Sequence, residues 1–131
     1  MPKFEPKCTL VPKSSQYSKT WIRDLNYQNQ TLVLQIANEE EFDLELRFPN
    51  LEGFRVLDEL HLCEFWKDYH MKNGWLWEVT EGGWVQLEQM RGSFVAADMF
   101  KSRLREYLVT SLTTCVSVMT INAPEFRRLD E

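Results

Sequence analysis

Two neighbouring segments of the chain, Leu32–Ile36 and Phe42–Phe48, alternate apolar and polar residues with a period of two. A period of two places every second side chain on one face of a strand, so each segment predicts a half-buried antiparallel strand. The loop of residues 37–41 between them predicts a hairpin whose apolar residues all face the core. The predicted pairs are Ile36 with Phe42, Leu34 with Leu44, and Leu32 with Leu46.

A helical pattern follows the hairpin. Asp58 suits a helix N-cap, because its carboxylate can accept a hydrogen bond from a free backbone N–H of the first turn. Asn73 and Gly74 provide a stop signal. We therefore predict a helix from about Glu59 to His70. Its apolar stripe would consist of Leu62, Phe65, Trp66 and Tyr69.

The segment after this helix contains two short apolar runs, Trp75–Val79 and Val85–Glu88, on either side of the Gly82-Gly83 pair. Glycine pairs are typical of tight turns between strands. The runs predict a second hairpin. Its apolar residues align only across a loop with an odd number of residues, which indicates a glycine at positive φ and a bulge.

The last third of the chain predicts a short helix within residues 94–106 and two strands, Tyr107–Leu112 and Cys115–Ile121. The two strands are apolar on both faces, which is typical of central strands in a sheet. Pro124 then precedes a charged segment, residues 125–131, which we interpret as a tail. The whole pattern predicts an α+β fold, mostly antiparallel β-sheet, with about seven strands and one or two short helices.

The N-terminal segment differs in composition from the rest of the chain. Residues 1–19 hold three prolines and a polar stretch, which predicts an extended N-terminal arm. Residues 20–131 are then predicted to form a single globular α+β domain, since 131 residues fit one domain and are few for two.

Composition and charge narrow the classes of partner. The chain has 44% hydrophobic and 27% charged residues, as a globular protein does, and 13% aromatic residues, which is high. A net charge of −5 without a dense basic patch argues against nucleic acid and suits a basic protein partner. Three cysteines without CxxC spacing indicate a reducing cytoplasm, and no apolar run approaches the ~20 residues that span a membrane.

Candidate chemistry is sparse. The candidates for a nucleophile and base are His61, Cys63 and His70. His61 and Cys63 are two residues apart on the predicted helix and face different directions. We expect Cys63 to be buried and the histidines to lie at the surface, although a Cys–His pair from distant segments stays open. The sequence therefore predicts no catalytic residue, no metal site and no cofactor.

Two features are candidates for partner binding. Glu39, Glu40, Glu41 and Asp43 place four carboxylates at and beside the tip of the predicted hairpin. They form either a solvated loop or an acidic contact for a basic protein surface. Trp84 follows the glycine pair, and it either covers the edge of the sheet or anchors a partner.

Several short stretches also support a resemblance to a known class of protein. They are residues 54–66 (FRVLDELHLCEFW), 74–79 (GWLWEV), 81–84 (EGGW), 107–109 (YLV), 115–118 (CVSV) and 123–125 (APE). Their order resembles small, single-domain bacterial proteins found beside polymorphic toxins, many of which are immunity proteins. The resemblance covers roughly residues 20–128, and its motifs consist of turns and core aromatic residues.

The resemblance implies a cytoplasmic antidote that binds a cognate toxin domain and blocks its active site by occlusion. It transfers no binding residue, because immunity surfaces vary with the toxin that they meet. The alternatives are a small-ligand-binding β-domain or an accessory subunit of a larger assembly.

Overall fold

A computed structural model describes most of the chain, and it contains nine strands and three short α-helices among the described residues. The described residues are 5–16, 19–38, 43–66, 74–100, 103–111 and 113–129. The strands are β1 (Lys7–Leu10), β2 (Trp21–Gln28), β3 (Thr31–Ala37), β4 (Asp43–Phe48), β5 (Gly53–Asp58), β6 (Leu76–Glu81), β7 (Arg105–Val109), β8 (Thr114–Thr120) and β9 (Glu125–Arg128). The α-helices are α1 (Cys63–Trp66), α2 (Trp84–Met90) and α3 (Val95–Phe100), and 3₁₀ helices lie at Pro12–Gln16 and Glu59–His61.

The strands form two antiparallel sheets. One has five strands in the order β1-β6-β7-β8-β5, and the other has four in the order β2-β3-β4-β9. This confirms the predicted α+β fold dominated by antiparallel sheet. β7 and β8 lie inside the five-stranded sheet, as their apolar faces predicted.

The predicted β3–β4 hairpin is present, but its register differs from the predicted one by two residues. The observed pairs are Leu32 with Phe48, Leu34 with Leu46, and Ile36 with Leu44. All six side chains are buried. A shift of two residues keeps every side chain on the same face, so the apolar pattern does not distinguish the two registers. Phe42 lies outside the described residues.

The core consists of two layers on either side of the five-stranded sheet. The larger layer fills the space between the two sheets, and Phe48, Trp75 and Val116 belong to it. The smaller layer lies on the opposite face of the five-stranded sheet, where α1 packs Phe65 onto Trp77 and its neighbours. Side chains on this sheet therefore alternate between a face that meets the second sheet and a face that meets helices.

The predicted helix from Glu59 to His70 is interrupted. Asp58 caps a 3₁₀ helix, in which the backbone N–H of Leu60 donates to its carboxylate at 2.9 Å. Leu62 leaves the helical conformation, and α1 begins at Cys63. Residues 67–70 lie outside the described part of the chain.

The prediction of a strand at Val85–Glu88 is wrong, because these residues belong to α2. The strand β6 pairs instead with β1 on one side and β7 on the other. Four alternating residues are too few to separate a strand from one turn of an amphipathic helix.

Both ends of the described chain contribute strands. β1 lies within the segment predicted as an extended arm and pairs with β6. The interpretation of residues 125–131 as a tail is wrong for Glu125–Arg128, which form β9 and pair with β4. Phe126 on β9 packs against the core between the sheets, and its ring lies 6.4 Å from that of Trp75.

Candidate functional site

The acidic segment at the hairpin tip is described only at Asp43, because Glu39, Glu40 and Glu41 lie outside the described residues. Asp43 begins β4, and its carboxylate pairs with the guanidinium of Arg23 on β2. The amide of Gln35 also donates to it at 3.4 Å. Asp43 is therefore paired with a charged residue of its own sheet, and its role as an acidic contact stays a prediction.

Two cross-strand ion pairs also lie on this outer face of the four-stranded sheet. Glu45 lies opposite Arg127 with an N···O distance of 3.4 Å, and Arg47 lies opposite Glu125 at 3.7 Å. Opposite charges on facing strands stabilise a solvated sheet surface. This face has a structural explanation that requires no partner.

Trp84 lies on the other side of the molecule. Its ring packs above β5, where the guanidinium carbon of Arg55 is 5.0 Å from the ring centroid. Its indole N–H donates to Glu88 at 3.2 Å. Arg55 shares a strand face with Leu57, which belongs to the core layer on the helical side. The structure therefore does not bring Asp43 and Trp84 together, since both sheets lie between their surfaces.

The start of α2 at Trp84 is fixed by Glu106 on β7. The backbone N–H groups of Trp84 and Val85 donate to the two carboxylate oxygens of Glu106 at 3.0 and 2.8 Å. These groups have no acceptor within the helix, so the carboxylate replaces an N-cap side chain. Gly83 permits the approach, because a Cβ there would lie 2.6 Å from Glu106 Oε2.

Glu106 is a buried ionisable residue, since only 3% of the residue is exposed. Burial raises the pKa of Glu106 above its ordinary value, while the two backbone hydrogen bonds and the charge of Arg55 act in the opposite direction. Burial likewise lowers the pKa of Arg55, and the charges of Glu106, Glu64 and Glu88 oppose that shift. The Nε of Arg55 is buried without a hydrogen-bond partner among the described residues.

The helices α2 and α3 expose most of their large apolar side chains. Neither helix contains a buried residue among those described. Their spacings of three and four residues place the exposed side chains in one stripe on each helix. We call these four residues the α2–α3 face: Leu87 (44% exposed), Met90 (55%), Val95 (62%) and Met99 (64%).

The cysteines and histidines do not form a catalytic pair in the described part of the chain. The prediction that Cys63 is buried is wrong, because it is exposed and donates to the Leu60 carbonyl at 3.2 Å. Burial raises the pKa of Cys115 to about 11 and that of Cys8 to about 12. His61 is exposed, and His70 lies outside the described residues. The described residues contain no group of His, Cys, Asp and Glu side chains able to hold a metal ion.

Glu106 and Arg55 were not among the candidates from the sequence. Their signal is a charged residue beside apolar strand residues, since Glu106 precedes Tyr107-Leu108-Val109 and Arg55 lies between Phe54 and Val56. Charged residues are rarely buried unless they have partners, so such a position indicates a specific partner in the fold.

Comparison with known proteins gives no relative for this chain. No protein-family model matches it, and no curated protein or solved structure is significantly similar to it. Among the described residues, no helix has the length and apolar character that crossing a membrane requires.

Proposed function

We propose that this protein binds a partner protein through the α2–α3 face and blocks a functional surface of that partner. The observation that supports the proposal is the concentration of exposed apolar residues on two helices with no buried residue among those described. A concentration of exposed apolar residues is common at sites of protein interaction. Covering half-exposed side chains of this size would contribute on the order of 1 kcal/mol each before the cost of association.

The partner that we propose is a cognate bacterial toxin domain with a basic surface, and the protein would then act as an immunity-type inhibitor in the cytoplasm. The resemblance of the sequence to proteins beside polymorphic toxins supports this choice. The net charge of −5 supports a basic partner, because complementary charge accelerates encounter. In this mechanism the protein acts by occlusion and has no catalytic turnover of its own.

The test is rescue of growth by co-expression. A reading frame adjacent to the gene would be expressed alone to establish that it is toxic, and then together with this chain. We expect rescue by the wild type and loss of rescue by Met90→Glu and Met99→Glu. The matched control is Leu60→Glu, since Leu60 is 73% exposed but lies outside the α2–α3 face. Equal rescue by all four proteins would exclude the α2–α3 face as the binding surface.

A second candidate function, binding of a small apolar ligand, is supported by a groove between β1 and β9. Its volume is about 290 Å³, and the residues that line it include Leu10, Pro12, Tyr107 and Phe126. This volume is near the lower limit of small-molecule sites. Saturable binding of a hydrophobic fluorescent probe that Phe126→Ala abolishes would favour this function.

A further inference from the structure

A polar cleft lies under α2 and α3, between these helices and the ends of β6 and β7. Its volume is about 210 Å³. Glu106 contributes to its wall, together with Thr80, Gln86, Gln89 and Ala97. The cleft is smaller than most sites for drug-sized molecules, so its size suits a single side-chain head group or a small ion.

The described residues that line the cleft are acidic or uncharged, and the charge of Arg55, which lies outside the lining, also acts on Glu106. The cleft's two ionisable residues among those described are Glu106 and Glu81, and no described residue that lines it is basic. A carboxylate has about four acceptor positions, and Glu106 uses one position on each oxygen for the backbone N–H groups of Trp84 and Val85. Acceptor capacity therefore remains on a buried carboxylate beside an open volume.

We propose that this cleft binds a guanidinium group, with Glu106 as the carboxylate that receives it. A guanidinium presents five N–H donors in a planar fork, which matches the acceptor positions of a carboxylate. Val85 and Gln86 connect the cleft to α2, so an arginine of a protein seated on the α2–α3 face is the expected source. That assignment of the source rests on the proposed function, whereas the binding of the guanidinium group itself does not.

The experiment is a titration of the full-length ¹⁵N-labelled protein with methylguanidinium chloride, observed at the backbone amides of Trp84 and Val85. We expect saturable shifts of both amides in the millimolar range of ligand. Sodium chloride at equal ionic strength and the neutral analogue methylurea should give no saturable shift. Absence of a saturable shift with methylguanidinium would overturn the proposal.

Three variants distinguish binding of methylguanidinium in the cleft from non-specific attraction of the cation to an acidic protein. Glu106→Gln should lose the saturable shifts, and Glu88→Gln, which removes a nearby carboxylate outside the cleft wall, should keep them. Ala97→Met should also lose the saturable shifts, because the larger side chain fills the cleft while the carboxylate stays in place. This variant replaces Glu106→Gln as the test if Glu106→Gln does not fold. Unchanged shifts in Ala97→Met, or their loss in Glu88→Gln alone, would contradict the assignment.

A titration with a capped Gly-Arg-Gly peptide distinguishes an arginine side chain of a protein from a small free cation as the source of the guanidinium group. Binding at least as tight as that of methylguanidinium supports an arginine side chain of a partner, and weaker binding assigns the cleft to small free cations. Because this titration uses no partner, its failure leaves the role of the α2–α3 face intact. Conversely, if Met99→Glu loses growth rescue but binds methylguanidinium normally, partner binding by the α2–α3 face is separate from guanidinium binding by the cleft.

Discussion

The carboxylate of Glu106 accepts a hydrogen bond of 3.0 Å from the backbone N–H of Trp84, 22 residues earlier in the chain. The contact joins the middle strand of the five-stranded sheet to the first residue of α2. It fixes where the helix begins and orients α2 over the sheet. The position of the α2–α3 face therefore depends on a buried carboxyl group as well as on apolar packing.

The first prediction concerns the glycine that permits this contact. A Cβ at Gly83 would lie 2.6 Å from Glu106 Oε2 and 2.6 Å from Val79 Cγ1, so either both side chains or the backbone at residue 83 must shift. We expect Gly83→Ala to lower the free energy of unfolding by roughly 1–3 kcal/mol, as overpacking does. Urea denaturation of the purified variant measures the change.

The control for this prediction is Gly53→Ala. A Cβ at Gly53 would make ordinary contacts of 3.6 Å with Met119 and 3.8 Å with Trp84. We expect this variant to stay within about 1 kcal/mol of the wild type. If Gly83→Ala lowered the free energy of unfolding by as little, the structure around residue 83 would accommodate a Cβ that the observed distances exclude.

The second prediction concerns β9, which the sequence pattern suggested was a tail. Phe126 on β9 packs against the core between the two sheets, and we expect Phe126→Ala to lower the free energy of unfolding by roughly 1–3 kcal/mol. The neighbouring Arg127 is 70% exposed at its side chain, so Arg127→Ala should cost less than about 1 kcal/mol. Similar small effects for both variants would indicate that β9 does not contribute to the fold in solution.

The elements that the sequence predicted correctly depend on local pattern. The alternation of Leu32–Ile36 and of the strand after it identified the hairpin and its buried face, because one side chain in two must face the core. The alternation does not determine the register of the hairpin, because two registers that differ by two residues bury the same side chains.

The elements that the sequence mispredicted depend on distant contacts. Val85–Glu88 alternate as a strand does, yet the N-terminus of α2 is capped by Glu106, which no local pattern reveals. The ion pair of Asp43 with Arg23, 20 residues earlier in the chain, is likewise not revealed by any local pattern, and the role of Asp43 as an acidic contact stays a prediction. Trp84 was predicted to cover the sheet edge or to anchor a partner, and its contact with Arg55 was not predicted.

The third prediction concerns the reactivity of the cysteines. Burial raises the pKa of Cys8 to about 12 and that of Cys115 to about 11, so both thiols stay protonated at neutral pH. Cys63 is exposed. Because the thiolate is the reactive form, we expect a thiol reagent to modify Cys63 readily in the folded protein and the other two only after unfolding. The measurement is the number of thiols that react with and without denaturant.

The control is Cys63→Ser, which should abolish the fast reaction and leave the slow one. Rapid modification of Cys115 in this variant would show that the core layer beneath α1 opens more often than its burial implies.

The fourth prediction concerns the pH dependence of stability. Burial raises the pKa of Glu106 above its ordinary value of 4.5 in the folded protein. Between 4.5 and the raised pKa, the folded state holds more protons on this residue than the unfolded state does. The free energy of unfolding that Glu106 contributes is therefore complete below pH 4.5 and falls as the pH rises through the raised pKa.

Other carboxylates also titrate in this range, so the contribution of Glu106 must be isolated by a difference. Glu106→Gln keeps an acceptor for one backbone N–H of α2 but has no proton to lose, and the remaining groups are common to both proteins. We expect the unfolding free energy of the wild type minus that of Glu106→Gln to decrease as the pH rises from 4.5 towards neutrality, as urea denaturation at a series of pH values would measure. An increase over the same range would mean that the backbone hydrogen bonds from Trp84 and Val85 outweigh burial and lower the pKa of Glu106. A constant difference would mean that Glu106 is solvated and does not hold α2 as the structure describes.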